Sequence, residues 1–336
     1  MPKTPRPVFI VVLFVGLVLA VIVVWPQGVG IHRLPVIANA IALRGVLALG
    51  VAVAAVLVGA LAVLRRRWGM SAALAISLAA AAVGTGAVVL ARSVPLPAQD
   101  TRTGDELTVL SWNAYGGGAS AEIVAGLIRE TGADVVALPE TDAFAAARIV
   151  RLLAADGVSM HHATIAAAPG GESIPSSLLV STALGPYARD TAVGSTPGLP
   201  SAVWRPVEGG GPAIVVAHPM PPLSDVVDQW NAGLEWVAAR CTERDVIVAG
   251  DLNATLDHFT GLGVDGGAIG GCRDAAAERG RAAAGTWPVR LPISLAAPID
   301  HILAGPAWRV TGFDVRGDMD DAGSDHRPIV ATLERG

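Results

Sequence analysis

The sequence predicts a two-sheet α/β sandwich behind three membrane-spanning helices, on three observations. Residues 1 to 99 contain no Asp or Glu, and all 29 acidic residues fall at Asp100 or later. Three long uncharged apolar runs lie in that acid-free part, which accounts for a mean hydropathy of +0.53 in a chain of 336 residues. Beyond it, apolar runs of strand length outnumber helical patterns, and the helices come early and in the middle. Strict βαβ alternation therefore fails, and two packed sheets fit better than one doubly wound sheet.

Residues 8 to 25 form an unbroken apolar or Gly run, about 27 Å long as a helix and enough to span a bilayer. Residues 45 to 64 give a second, with Arg44 at its edge placed to snorkel. Residues 71 to 91 give a third, Ala-rich and bounded by Trp68 and Arg92. Lys3 and Arg6 before the first run also suit a cleaved leader, but two further spans favour an anchor. Basic residues stay cytoplasmic, and Lys3, Arg6 and Arg65 to Arg67 flank the runs accordingly. The expectation is a multi-pass cell-membrane protein with a cytoplasmic N-terminus and everything past about residue 93 outside the cell. Failure of the third run to insert would reverse that. Residues 1 to 92 are thus read as the anchor, 93 to 106 as a Pro-containing tether, and 107 to 336 as the functional domain.

Within that domain, strands are expected at Leu107 to Trp112, Asp134 to Leu138, Ser177 to Ser181, Ala202 to Val207, Ala213 to Ala217, Val246 to Gly250, Ile299 to Leu303 and Pro328 to Leu333. Helices are expected at Ser120 to Thr131, where Ile123, Leu127 and Ile128 share a face, at Asp142 to Ala154, and at Val226 to Arg240. Gly261 to Gly271 reads as a loop.

Polar residues repeatedly terminate these strands: Asn113, Glu140, His218, Asp251, Asn253, Asp300, Asp325 and His326. An isolated G-D-L-N is as readily a strand running into a helix cap, whereas eight such ends point to a site. Oxygen ligands with few His and no Cys suit Mg²⁺ or Mn²⁺ better than Zn²⁺. Such an ion neutralises phosphoryl groups while a His and carboxylate pair handles protons.

The ordered set W-N (112 to 113), L-P-E-T (138 to 141), A-H-P (217 to 219), G-D-L-N (250 to 253), I-D-H-I (299 to 302) and S-D-H-R-P (324 to 328) resembles the endonuclease/exonuclease/phosphatase superfamily. That group holds pancreatic-type deoxyribonucleases, abasic-site endonucleases, neutral sphingomyelinases and inositol-polyphosphate 5-phosphatases. The membrane-anchored arrangement resembles bacterial members. The resemblance implies a four-layer α/β sandwich, two mixed sheets flanked by helices, with the site at one sheet edge. It implies Glu140 as principal metal ligand, with Asn113 and Asp325 helping to hold the metal or its waters. It implies Asp251 at the attacking water, Asn253 on a phosphate oxygen, and His326 oriented by Asp300 as proton-transfer or phosphate-stabilising imidazole. His218 would be a second imidazole. Whether Asp251 or His326 is the base stays open. The family usually has Gln where Pro139 stands, and proline stiffens that strand end.

Other residues read more plainly. His301 alternates away from Asp300 and is expected to be structural, and His161 and His162 to be surface or packing residues. His258 is a candidate to line the site, while Trp287 reads first as a packed ring. Cys241 and Cys272 invite a disulfide in an extracellular domain, closing a loop of about 30 residues for about 3 kcal/mol; buried free thiols are the alternative.

The functional expectation is a metal-dependent hydrolase of phosphate esters, nuclease-like, with a lipid or sphingolipid headgroup or a small phosphomonoester as competing substrates. From 101 to 336 the chain has 16 Arg, no Lys and 28 acidic residues, a formal −12. Such a surface disfavours polynucleotides unless a local patch intervenes, for which Arg205, Arg290 and Arg327 are candidates. A non-catalytic membrane module should have lost some of the eight residues, and a transporter would need polar groups inside the spans. The sequence suggests no protein partner.

Overall fold

The computed structural model describes residues 6–65, 69–96, 106–166 and 174–336. The chain divides into two compact units, Met1–Ser93 and Val94–Gly336. Most of the expected tether, and the orientation-setting Lys3, Arg66 and Arg67 with the bounding Trp68, lie outside the described residues.

In the first unit, α1 (Arg6–Val24), α3 (Arg44–Leu64) and α4 (Met70–Ala91) are long and apolar enough to cross a membrane, by length and composition. Between the first two lies α2 (Pro35–Ala42), which the sequence reading did not anticipate; eight residues are too short to span. Arg44 departs from expectation too. It is buried, and its guanidinium donates to the carbonyl of Val24 at 3.1 Å, placing a cation on the C-terminal end of α1. Backbones approach closely where α1 meets α4: a Cβ on Gly16 would lie 2.2 Å from Oγ of Ser77, the small-residue contact on which apolar helices pair.

The second unit runs β1 (Glu106–Ser111), α5 (Ala121–Thr131), β2 (Val135–Pro139), α6 (Ala143–Ala155), β3 (Met160–Ile165), β4 (Ser176–Ser181), β5 (Tyr187–Arg189), β6 (Ala202–Pro206), β7 (Ala213–Ala217), α7 (Val227–Arg240), β8 (Val246–Asp251), β9 (Arg273–Asp274), α8 (Ala275–Glu278), β10 (Asp300–Ala304), β11 (Trp308–Val315) and β12 (Ile329–Arg335). Two six-stranded sheets result, ordered β11-β12-β1-β2-β4-β3 and β5-β6-β7-β8-β10-β9. With their flanking helices they make the four-layer sandwich. Each sheet has one central parallel pair, β1 with β2 and β7 with β8, among antiparallel neighbours.

Strand alternation sorts the side chains. Leu107 and Val109 of β1 and Val135 and Ala137 of β2 face a core shared with Ile214, Val216, Ile247 and Ile302 of the second sheet. Leu110, Val136 and Leu138 face the other way, onto Leu127 and Ile128 of α5 and Ile149 and Leu153 of α6. Each such fully buried chain contributes about 1.5–3 kcal/mol. Ser120 and Asp142 start the two helices, accepting from the amides of Ile123 and Ala145.

The four strands that the sequence reading missed, β3, β5, β9 and β11, are the four edges of the two sheets. An edge strand lacks a second neighbour, so its apolar signal is short or interrupted. β3 carries exposed His161 and His162, and β11 is broken by a register shift between Val310 and Gly312. Cys241 and Cys272 form a disulfide, Cα atoms 5.2 Å apart, which decides between the two readings of that pair.

Candidate active site

All eight strand-terminating residues lie at one end of the paired sheets. The carboxyl ends of parallel β1 and β2 carry Asn113 and Glu140; those of β7 and β8 carry His218, Asp251 and Asn253. Antiparallel β10 begins there with Asp300, paired in register with Asp251. β12 also begins there, Ile329 opposite Ser111, so the preceding Asp325 and His326 arrive at the same end.

Backbone conformation aims several of these groups. Gly250, at φ 153°, passes so close to β7 that a Cβ would sit 1.9 Å from the carbonyl oxygen of Ala217. Glu140 (φ 57°) and Asn253 (φ 48°) adopt left-handed conformations unusual for residues with side chains, costing about 1–3 kcal/mol each. Pro139 closes β2 opposite Ser176, and its carbonyl accepts from the amide of Ala114, so the strand end is held without a proline N–H.

The side chains interlock across the two sheets. Nδ2 of Asn113 donates to Oε1 of Glu140 at 3.0 Å and to Oδ2 of Asp251 at 3.1 Å. Oδ1 of Asn113 accepts from the amide of Tyr115, so the amide orients both carboxylates. Nε2 of His218 lies 3.9 Å from Glu140 and 3.8 Å from Asp251. Nε2 of His326 lies 3.7 Å from Asp251 and 4.0 Å from Oδ1 of Asp325, while its Nδ1 is 2.9 Å from Oδ2 of Asp300. The Asn253 amide donates to Oδ1 of Asp251, and its side-chain Nδ2 donates to the carbonyl of Pro219.

Burial and mutual charge set the protonation. Burial pushes His218 down against the pull of Asp251. Burial also raises the Asp251 carboxyl, and the neighbouring Asp300 charge adds to the rise. Burial alone would lower His326, but Asp300 and Asp251 outweigh it and hold the imidazole up at about 10. His326 is therefore a cation at neutral pH, and His218 is neutral.

The oxygen set suits a hard divalent ion. Asp251, Asp300 and His326 offer one ligand atom each, all within 4.8 Å of one another, but Nδ1 of His326 is committed to Asp300. Glu140 and Asp325, their side chains 23% and 39% exposed, are better placed for an ion arriving from solvent, and Oδ1 of Asp325 has no hydrogen-bond partner. Glu140 also lines a cavity of about 800 Å³ together with Phe144, Ile149 and Ile174.

Supporting residues emerge that the sequence reading had undervalued. Trp287 does not simply pack; its indole N–H donates to Oδ2 of Asp325 and its ring lies 6.4 Å from that of His326. Oγ of Ser324 donates to the carbonyl of Asn113 and accepts from the amide of His326, and the indole of Trp112 donates to the carbonyl of His326. Oγ1 of Thr286 accepts from the amides of Ile299 and Asp300. Trp112 and Ser324 lie inside the W-N and S-D-H-R-P motifs, but nothing local marks their bonds to partners more than 200 residues away, nor those of Thr286 and Trp287.

Two expectations need correction. His258 does not line the site: it is fully buried, Nδ1 accepting from the amide of Thr255 and the ring edge-on to Trp230. Arg205 and Arg327 do not make a phosphate-binding patch with Arg290. Arg205 is tied to Asp190 and Glu243. Arg327 is buried, bound to Asp320 and to the carbonyls of Gly285, Val289 and Leu291. Only Arg290 of the three is exposed.

No curated protein matches the chain. Among solved structures, humanized D. rerio TDP2 carrying 14 mutations is 16% identical with a TM-score of 0.51, over 68% of this chain and 99% of that one. D. rerio TDP2 complexed with a single strand DNA product is 18% identical with a TM-score of 0.50, over 68% and 99%. TDP2 from Caenorhabditis elegans in selenomethionine form is 18% identical with a TM-score of 0.50, over 80% and 85%. At these identities the likeness is one of fold. The family evidence is separate: the model of the Endonuclease/Exonuclease/phosphatase family matches residues 110–326, a stretch running from the strand before Asn113 through His326 and taking in all eight residues. The chain belongs to the endonuclease/exonuclease/phosphatase family.

Proposed function

We propose that this protein is a divalent-metal-dependent phosphoesterase, nuclease-like, held at the cell membrane by residues 1 to 92 with its catalytic domain, 107 to 336, outside the cell. The observation that carries the catalytic part is the Asn113 amide bridging Glu140 of one sheet and Asp251 of the other. It brings a solvent-facing carboxylate and a buried one to the same point. The Cys241–Cys272 disulfide supports the extracellular assignment, since such bonds persist in oxidising compartments.

In this reading Glu140 and Asp325 hold Mg²⁺ or Mn²⁺, with Asn113 fixing Glu140 and the metal's waters. The ion would supply charge stabilisation at the phosphoryl oxygens. Asp251 accepts the proton of the attacking water, because burial raises its affinity for one. His326, oriented by Asp300 through its Nδ1, is placed to hydrogen-bond the phosphate. The second N–H of the Asn253 amide and the neutral His218 hold the remaining phosphate or leaving-group oxygens.

A lipid-headgroup phosphodiesterase is the second reading. One observation weighs toward it: Arg205 and Arg327 are occupied by carboxylates or carbonyls, so neither is free to help bridge a polynucleotide to this acidic domain.

The test uses the full chain in detergent micelles with Mg²⁺, on bis(p-nitrophenyl) phosphate, on single-stranded DNA, suggested by the D. rerio TDP2 structure, and on sphingomyelin vesicles. Hydrolysis lost in His326→Ala supports the reading, and the preferred probe names the substrate class. Failure on all three with no Mn²⁺ binding would sink it.

A further inference from the structure

His301 follows Asp300 on β10 and points away from the reacting groups, yet it is buried between two acceptors. Its Nδ1 lies 2.6 Å from Oδ2 of Asp274, and its Nε2 lies 2.8 Å from the carbonyl oxygen of Ala254. Neither partner is a donor when Asp274 is ionised, so the ring supplies a hydrogen at both nitrogens. The other Asp274 oxygen accepts from the amide of Ala277, which fixes that carboxylate to the start of α8. Asp274 stands two residues after disulfide-bonded Cys272, so the pair is anchored to a cross-linked part of the fold.

The residue it holds, Ala254, directly follows Asn253, whose left-handed backbone would relax if freed. The amide of Asn253 bonds Oδ1 of Asp251, its side chain bonds the carbonyl after His218, and the amide of Leu252 bonds the carbonyl of Ile299. On the far side of the turn His301 bonds the carbonyl of Ala254, and His258 bonds the amide of Thr255 that follows it. Without the His301 bond the carbonyl of fully buried Ala254 loses its partner, and the strained turn loses one of its restraints.

We infer that His301, paired with Asp274, is a positioning residue that holds the Asp251–Asn253 turn in its working geometry through the carbonyl of Ala254. It touches no substrate. The kinetic consequence rests on the phosphoesterase reading above; the structural consequence does not.

Two measurements on the full chain in micelles test it. In His301→Phe, with His301→Phe/Asp274→Asn as the variant that leaves no buried charge unpaired, amide exchange over residues 251 to 256 should accelerate about tenfold or more, while β1 and β2 stay protected. With bis(p-nitrophenyl) phosphate and Mg²⁺, kcat should fall by about 10²-fold and KM stay within about threefold. His301→Gln, which keeps one donor, should recover part of the loss. In an Asn253→Ala background, His301→Phe should add little, because both changes act through one turn. Unchanged exchange over 251 to 256, or fully additive kinetic losses, would overturn the proposal. An unmodified chain that hydrolyses nothing would count against the phosphoesterase reading instead, with the exchange result still deciding the role of His301.

Discussion

The indole of Trp287 donates to one oxygen of Asp325 at 2.8 Å and leaves the other oxygen without a hydrogen-bond partner. One carboxylate is thus fixed by a neighbour and still has an acceptor to offer. If Asp325 helps hold the metal, Trp287→Phe keeps an aromatic ring, though a smaller one, and loses the tie. Mn²⁺ affinity should then drop about tenfold, read by titration calorimetry, with little change in melting temperature. Unchanged affinity would remove Asp325 from the ligand set.

Gly250→Ala should be among the most damaging single changes. The new methyl would stand against the Ala217 carbonyl, at a backbone angle side chains rarely adopt. A loss of about 3 kcal/mol or more is expected, with kcat falling as well because Asp251 is the next residue. Thermal unfolding of the variant measures the first effect.

Reduction of Cys241–Cys272 should destabilise the second unit by about 3 kcal/mol through the loop of about 30 residues it closes. Melting with and without dithiothreitol, or in Cys241→Ser/Cys272→Ser, checks this; the α1, α3 and α4 helices should melt unchanged.

His301 and Asp274 predict a pH-dependent contribution. Burial pulls the His301 pKa down, but Asp274 outweighs it, so the folded value is raised above the unfolded one. The pair's contribution is therefore fully present below about pH 6.5, the ordinary histidine value, and is lost as pH rises through the raised folded value. Asp274→Asn keeps the α8 cap and loses the charge. Its stability deficit, about 3–5 kcal/mol at pH 5.5, should narrow on the alkaline side. A deficit that widened with pH would contradict the assignment.

The inner strands were legible from long buried runs, as in β2, β7 and β8, which are buried at every position, or from alternation, as in β12. The edges were not, because Tyr187–Arg189 and Arg273–Asp274 are too short to show a period. Chemistry followed the same division. Asp251 and His326 stand in recognisable motifs at strand ends. Trp287 and Ser324 act on partners far along the chain, a relation that exists only after folding. Arg327 misled because an arginine beside a candidate catalytic histidine looks like a phosphate ligand, whereas its guanidinium satisfies three loop carbonyls. Arg44 misled likewise: a charge at the edge of an apolar run can find a helix end instead of water.

The hydrogen bond from Trp112 to the His326 carbonyl joins positions 214 residues apart, and it bears on when the enzyme can begin to work. Asn113 and Glu140 are synthesised well before His326. Strand β12, which carries His326 to its place, must then insert beside β1. A ribosome still translating the Gly-rich loop has no complete centre to expose. On the phosphoesterase reading, a chain in which β12 has not docked beside β1 would therefore be inert toward phosphate esters, because His326 is not yet at the site.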